Sequence, residues 1–316
     1  MAPYGSAQSA PSRFPQRGKR RGITMLWIPI TIGAAALQVA RNALQRGLLA
    51  GAGPWGATLV RFLFGLPFSL AFALVAAAVT PVFRLNPNLV FWLLSALGGA
   101  TQIAATAAML VSMRRSSFAL GTVFQQSSIP LAALVGLIGG DRLHALAWVG
   151  LGAVTAGLMA LAWPRQSEGP KDWSAALLGL VAGAGFAVSS NAFRRAAIVL
   201  EPHHLPLAAL VTVFVVQAMQ SGALIGWLAL TDRRALGVAV GSGRASLGAG
   251  FFGAAASGLW FTAFALSPAG PVRAVGVVEM PIATLAGRRV FAERFASWQW
   301  LAAGLAGLGV ALAATG

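Results

Sequence analysis

The chain has no cysteine, seven acidic residues, one tyrosine, and only two lysines, Lys19 and Lys171. Without thiols, disulfides and thiolate metal sites are excluded. The three histidines (His144, His203, His204) fall at the edges of apolar stretches, and no acidic pair is spaced for a metal ion, so neither metal nor cofactor is expected. Zinc-protease and P-loop signatures are missing, and Gly241-Ser242-Gly243 has no flanking His or Asp to activate a serine. An enzyme is therefore not expected. Charge of either sign is scarce: 9% of the 316 residues are charged against 57% hydrophobic. A soluble domain carries about 25% charged residues, so this chain lacks the polar surface to stay in water.

Hydrophobic length is what the chain has. Ten apolar segments read as spans, at 23–44, 57–80, 89–112, 117–138, 144–163, 174–197, 205–230, 246–266, 271–291 and 297–315. Segments of about 20 apolar residues suffice to cross a hydrocarbon core. The polar–apolar alternation of a β-barrel is absent, so an all-α membrane protein of ten transmembrane helices is expected. Residues 1–22 form a polar tail ending in Arg13, Arg17, Lys19, Arg20 and Arg21, read as a disordered cytoplasmic segment before an uncleaved first span. The net charge of +16 sits mainly in tails and short loops. Anionic headgroups and the positive-inside bias account for it, and nucleic acid is not an expected partner. The early basic cluster favours cytoplasmic termini, although the Lys and Arg of the remaining loops do not share that bias. Arg-for-Lys usage with abundant Ala and Gly points to a GC-rich bacterial source and hence to the inner membrane, as a multi-pass protein.

The chain also repeats itself. Asp141-Arg142, Trp148, Gly152 and Gly157 return 152 positions later as Glu293-Arg294, Trp300, Gly304 and Gly309. Pro130 returns as Pro281, and Asn42-Ala-Leu-Gln-Arg46 as Asn191-Ala-Phe-Arg-Arg195. The polar stretch 164–173 separates one unit, 23–163, from a second, 174–316. Five spans per unit turn the second copy upside down relative to the first, so inverted repeats are expected, the pattern of secondary transporters. Trp27, Trp55, Trp92, Trp163, Trp173, Trp227, Trp298 and Trp300 fall near span ends, as an interfacial belt requires. Trp260 falls inside a span and either lines a cavity or packs in the core. Spans five and ten are rich in small residues, with Ala153/Gly157 and Ala303/Gly307 spaced for close helix packing or a homodimer contact. Gly179/Gly183 is a third such pair.

Each half carries an apolar span with an internal proline, then an acidic residue at the next loop, then a glycine-patterned span. In Pro130–Leu161 with Asp141, and in Val278-Glu279-Met280-Pro281 to Ala313 with Glu293, this resembles the EamA-type branch of the drug/metabolite transporter superfamily. The resemblance implies a ten-helix bundle of two inverted five-helix repeats with both termini cytoplasmic. It also implies spans one to four and six to nine around a central cavity, and small metabolites, amino acids or drugs as cargo, often exported.

Glu279 is the one acid near the middle of a span, and a carboxylate there costs roughly 2.5–3.5 kcal/mol on insertion scales. Proton coupling, pairing with a substrate amine or an internal Arg, and a fixed salt bridge are the readings open to it. Candidate substrate-binding residues are Gln102, Gln125, Gln126, Ser128, Gln217 and Gln220 at similar depth, with Arg61, Asn191 of span six, and Gln38, Arg41 and Asn42 of span one, whose polar stripe continues to Gln45. Arg41 and Arg61 lack an acidic partner other than Glu279; an anionic substrate group or snorkelling to headgroups would explain them. Pro29, Pro67, Pro130 and Pro281 can bend their helices, and the repeat-related Pro130 and Pro281 are the hinge candidates. A small-molecule transporter in the lipid bilayer is the leading expectation; a non-transporting structural or lipid-flippase subunit is the alternative.

Overall fold

The computed structural model describes residues 25–115, 125–162, 173–241, 243–279, 281–282 and 297–315. The basic tail 1–22, Trp163, the linker up to residue 172, Glu293 and the side chains of Trp298 and Trp300 lie outside the described residues. Every described element is helical: α1 Trp27–Leu63, α2 Leu66–Val79, α3 Leu89–Arg115, α4 Ser128–Ile138, α5 Ala145–Ala162, α6 Trp173–Leu200, α7 Leu205–Thr231, α8 Arg233–Gly241, α9 Gly243–Leu266, α10 Ala269–Val275 and α11 Ser297–Thr315. Five stretches are long and apolar enough to cross a membrane: Gly51–Val79, Leu89–Arg115, Trp173–Leu200, Leu205–Thr231 and Ser246–Leu266. The architecture is that of an all-α, multi-pass membrane protein.

Spans one and two are not separated by the loop that the sequence suggests. Helix α1 runs through span one and into the start of span two, broken only at Gly53, whose φ of 65° and ψ of −180° lie outside the helical region. Pro54 disfavours helical geometry in the residue before it and opens the second arm; glycine supplies the positive φ. The reversal is sharp. Gln45 donates to the Ala57 carbonyl at 3.0 Å, whereas 12 residues of straight helix would separate them by about 18 Å. A second interruption at Phe64–Gly65 precedes Pro67 at the start of α2. Pro29 instead sits in the first turn of α1, where its missing N–H disturbs nothing.

The two hinge candidates distort their helices in the same way. Pro130 cannot donate to Gln126, and the Gln126 carbonyl takes the tighter bond from Ile129 N–H at 2.9 Å. Before Pro281, Gly276–Val278 winds as a 3-10 turn, and the N–H of Glu279 serves the carbonyls of Gly276 and Val277. In both, the turn N-terminal to the proline tightens because one donor is missing.

The loop expected at 231–245 contains a helix, α8, that hydrophobic length alone did not indicate. Asp232 caps it, accepting from the Ala235 N–H at 2.8 Å; Ala235 and Ala239 face inward against α1 and α7.

The most extensive helix contacts are α3 with α6, α1 with α9, and α5 with α11. Small residues set these distances. A Cβ on Gly150 would lie 2.6 Å from the Gly309 carbonyl, and one on Gly309 would lie 2.7 Å from that of Gly150. These glycines make the α5–α11 contact, while Gly307, from the expected Ala303/Gly307 pair, faces open space. Gly183 of α6 lets the N-terminus of α4 approach, since its Cβ would strike Ser127. Trp55, Trp92, Trp173 and Trp227 are exposed as a belt requires, but Trp27 is buried in a core cluster that includes Ala34, Trp260 and Val275.

Candidate ligand cavity

Four helix faces and one short helix converge on a narrow internal cavity. Helix α9 contributes Ser257, Trp260, Phe261 and Phe264, spaced i, i+3, i+4, i+7 and so on one face. Phe186, Ser189 and Phe193 do the same from α6; Gln38 and Arg41 come from the first arm of α1, Arg61 from its second, Gln102 from α3 and Arg273 from α10. The space at its centre admits roughly one water molecule. In this conformation the site is nearly closed.

Three guanidinium groups line it. Arg41 is bound to its neighbour Asn42, with Nη2 2.6 Å and Nε 3.2 Å from Oδ1. Arg61, 2% exposed, donates to the Thr106 hydroxyl at 3.1 Å and the Ser257 hydroxyl at 3.4 Å. Arg273, 8% exposed, donates to the Phe186 carbonyl at 3.2 Å and lies 5.2–5.4 Å from the ring centres of Phe186, Trp260 and Phe264. The Nε of Arg61, the Nε of Arg273 and the indole nitrogen of Trp260 are buried without a partner. Among the described residues, none of these arginines forms an ion pair. Neither Arg41 nor Arg61 reaches the surface, so snorkelling does not explain them.

Glu279 stands behind this wall. Its Oε2 accepts from the Gln38 amide and its Oε1 from the Gln126 amide, so the carboxylate joins α1, the turn before α4 and the 3-10 turn after α10. It is 3% exposed.

Two of the other singled-out residues tie helices together. Gln220 donates to Gln102 Oε1 at 2.9 Å and to the Gly99 carbonyl at 3.1 Å, tying α7 to α3. Asn191 donates to the Ala132 carbonyl at 2.9 Å and holds α6 to α4. Gln217 is buried beside Gly65, with both amide atoms unpartnered. Gln125 and Ser128 are buried near the α4 start but do not line the cavity. Trp260 both lines the cavity and packs in the core, stacked on Phe264 at 5.5 Å. Sequence reasoning missed Arg273, a lone cation six residues before Glu279, and the aromatic face of α9, whose spacing was visible.

No family model matches the chain, and no curated protein matches it. Solved structures do share the fold. One, titled only "Crystal structure of protein", aligns with a TM-score of 0.59 at 16% identity, covering 90% of this chain and 95% of its own.

Proposed function

We propose that this chain is a secondary transporter of a small polar or amphipathic metabolite, working by alternating access between two inverted five-span repeats of the EamA type. The observation that carries the reading is the buried cavity, lined by three arginines from apolar helices and built from both halves of the chain. Intramembrane charge is costly and marks substrate or ion pathways. The helix pairing supports the repeat. Exchanging each span for its counterpart five spans on turns the α3–α6 contact into α9–α1, and leaves α5–α11, α2–α7 and α4–α10 as they are. The proline-linked distortions before Ser128 and Glu279 supply matching points about which one half rocks against the other. Glu279, joined to both distorted segments, is the proton-coupling residue, and the bacterial inner membrane is the setting.

The test is a thermal-stability screen of purified protein with amino acids and organic acids, followed by flux of each hit in proteoliposomes. At least one compound should both stabilise the protein and cross the vesicle membrane in its presence. Inserted protein that neither binds nor moves any compound of the panel would sink the reading. Replacing Arg61 by Gln should weaken anionic compounds selectively.

A further inference from the structure

We infer that the cavity is a site for an organic anion with a flat aromatic body, and that it rejects zwitterions such as amino acids. The inference rests on the transporter reading for its purpose, while the binding claim stands or falls separately. Three lining residues are cationic and no lining residue is acidic. Arg41 is occupied by Asn42, and Glu279, the nearest acidic residue among those described, has both oxygens taken by Gln38 and Gln126. A substrate ammonium would therefore meet guanidinium groups without a free carboxylate to receive it. A substrate carboxylate would meet the unpartnered Nε–H groups of Arg61 and Arg273. Charge-assisted bonds from such preformed donors are the strong ones.

The remaining wall selects the body of the ligand. Phe186, Trp260 and Phe264 surround Arg273, and Phe193 stacks on Phe261 at a centroid distance of 4.1 Å. An aromatic ring slides between such faces with offset or edge contacts; an aliphatic acid gains the charge contacts alone. Space for the ring comes from displacement of Trp260, whose indole is held by packing and by no hydrogen bond.

The experiment is competition on the unmodified full-length protein in detergent. Tritiated indole-3-acetate is the probe, with phenylacetate, acetate, indole and tryptophan as competitors. Phenylacetate should compete well, and acetate, indole and tryptophan at least about tenfold more weakly, the loss expected when a charge-assisted bond or the ring contact is removed. Arg273→Gln should weaken indole-3-acetate by a similar factor and leave indole unchanged; if that variant does not fold, the order of competitors on the native protein decides alone. Tryptophan or neutral indole competing as well as indole-3-acetate overturns the inference. Vesicles that carry amino acids or aliphatic acids while aromatic acids neither bind nor move also overturn it, with transport intact. Saturable indole-3-acetate binding in the expected order upholds the site even where no flux is detected, and in that case it is the transporter reading that fails.

Discussion

Gln126 donates its side-chain amide to Glu279 across the interior, linking the turn before Pro130 to the turn before Pro281. Gln38 fills the other carboxylate oxygen. Glu279→Ala would strip two buried amide donors of their acceptor, at roughly 1–3 kcal/mol for each. Glu279→Gln keeps the size and one acceptor oxygen. The Ala variant should therefore unfold several degrees earlier, while the Gln variant inserts and folds but loses proton-linked flux. Vesicle uptake across a pH series checks this: an unchanged pH dependence in Glu279→Gln removes the coupling role and leaves a structural hub.

Arg194 ties three elements together. It lies 3.5 Å from the Asp141 carboxylate and donates to the carbonyls of Phe264 at 2.7 Å and Ala265 at 3.2 Å, closing the C-terminal end of α9. A cation there also meets the negative end of the helix dipole. Asp141→Ala removes one partly exposed pair, about 0–1 kcal/mol. Arg194→Ala additionally strands two carbonyls and should cost about 1–3 kcal/mol more. Unfolding in mixed micelles would compare them, and equal losses would show that the helix-end bonds contribute nothing.

Much of this arrangement was written in local spacing. The buried stripe Gln38, Arg41, Asn42 and Gln45 follows a helical period on an otherwise apolar segment, so its inward face could be read directly. Glu279 stood out because acids are rare and this one lies mid-span. Arg273 did not, since a basic residue near a span end is ordinarily explained by headgroups; only the fold of α10 against α6 and α9 brings it under three rings. The reversal at Gly53 was hidden for another reason. Hydrophobicity marks where spans lie, whereas the change of direction needs one positive φ and a proline, with no polar loop. Trp27 misled because nearness to a span end says nothing about which way a side chain packs.

Acidification should loosen the face where the α2–α3 and α6–α7 loops meet. Glu201 accepts from the backbone N–H of His203 at 2.8 Å and of Arg84 at 3.2 Å, and its Oε1 lies 3.6 Å from the His204 ring. The His203 bond, foremost, holds the Glu201 carboxyl below the usual range. With the folded value depressed, the stabilisation is complete above the unfolded pKa of about 4.3 and is lost as pH falls through the lower folded value. Wild-type protein should thus lose melting temperature below about pH 4 more steeply than Glu201→Gln, which cannot titrate there. Parallel melting curves for the two proteins would show that the clamp carries no pH-dependent stability.

Close approach of α4 to α6 depends on Gly183. A methyl group there would lie 2.0 Å from the Ser127 hydroxyl and 3.0 Å from the Gln125 carbonyl and the Ser128 nitrogen. The hydroxyl can rotate away; the backbone of the turn before Pro130 cannot do so without moving Gln126 off Glu279. Gly183→Ala should destabilise by about 1–3 kcal/mol as an overpacked contact and shift the pH dependence of flux in the same sense as Glu279→Gln. Gly152→Ala is the control, because nothing lies within 4 Å of the added carbon and Ala is the better helix former by roughly 0.8–1 kcal/mol. It should leave transport unchanged and melting equal or higher. If both variants melt alike and carry substrate alike, the α4–α6 contact does not position the Gln126–Glu279 link, and the hinge at Pro130 works without it.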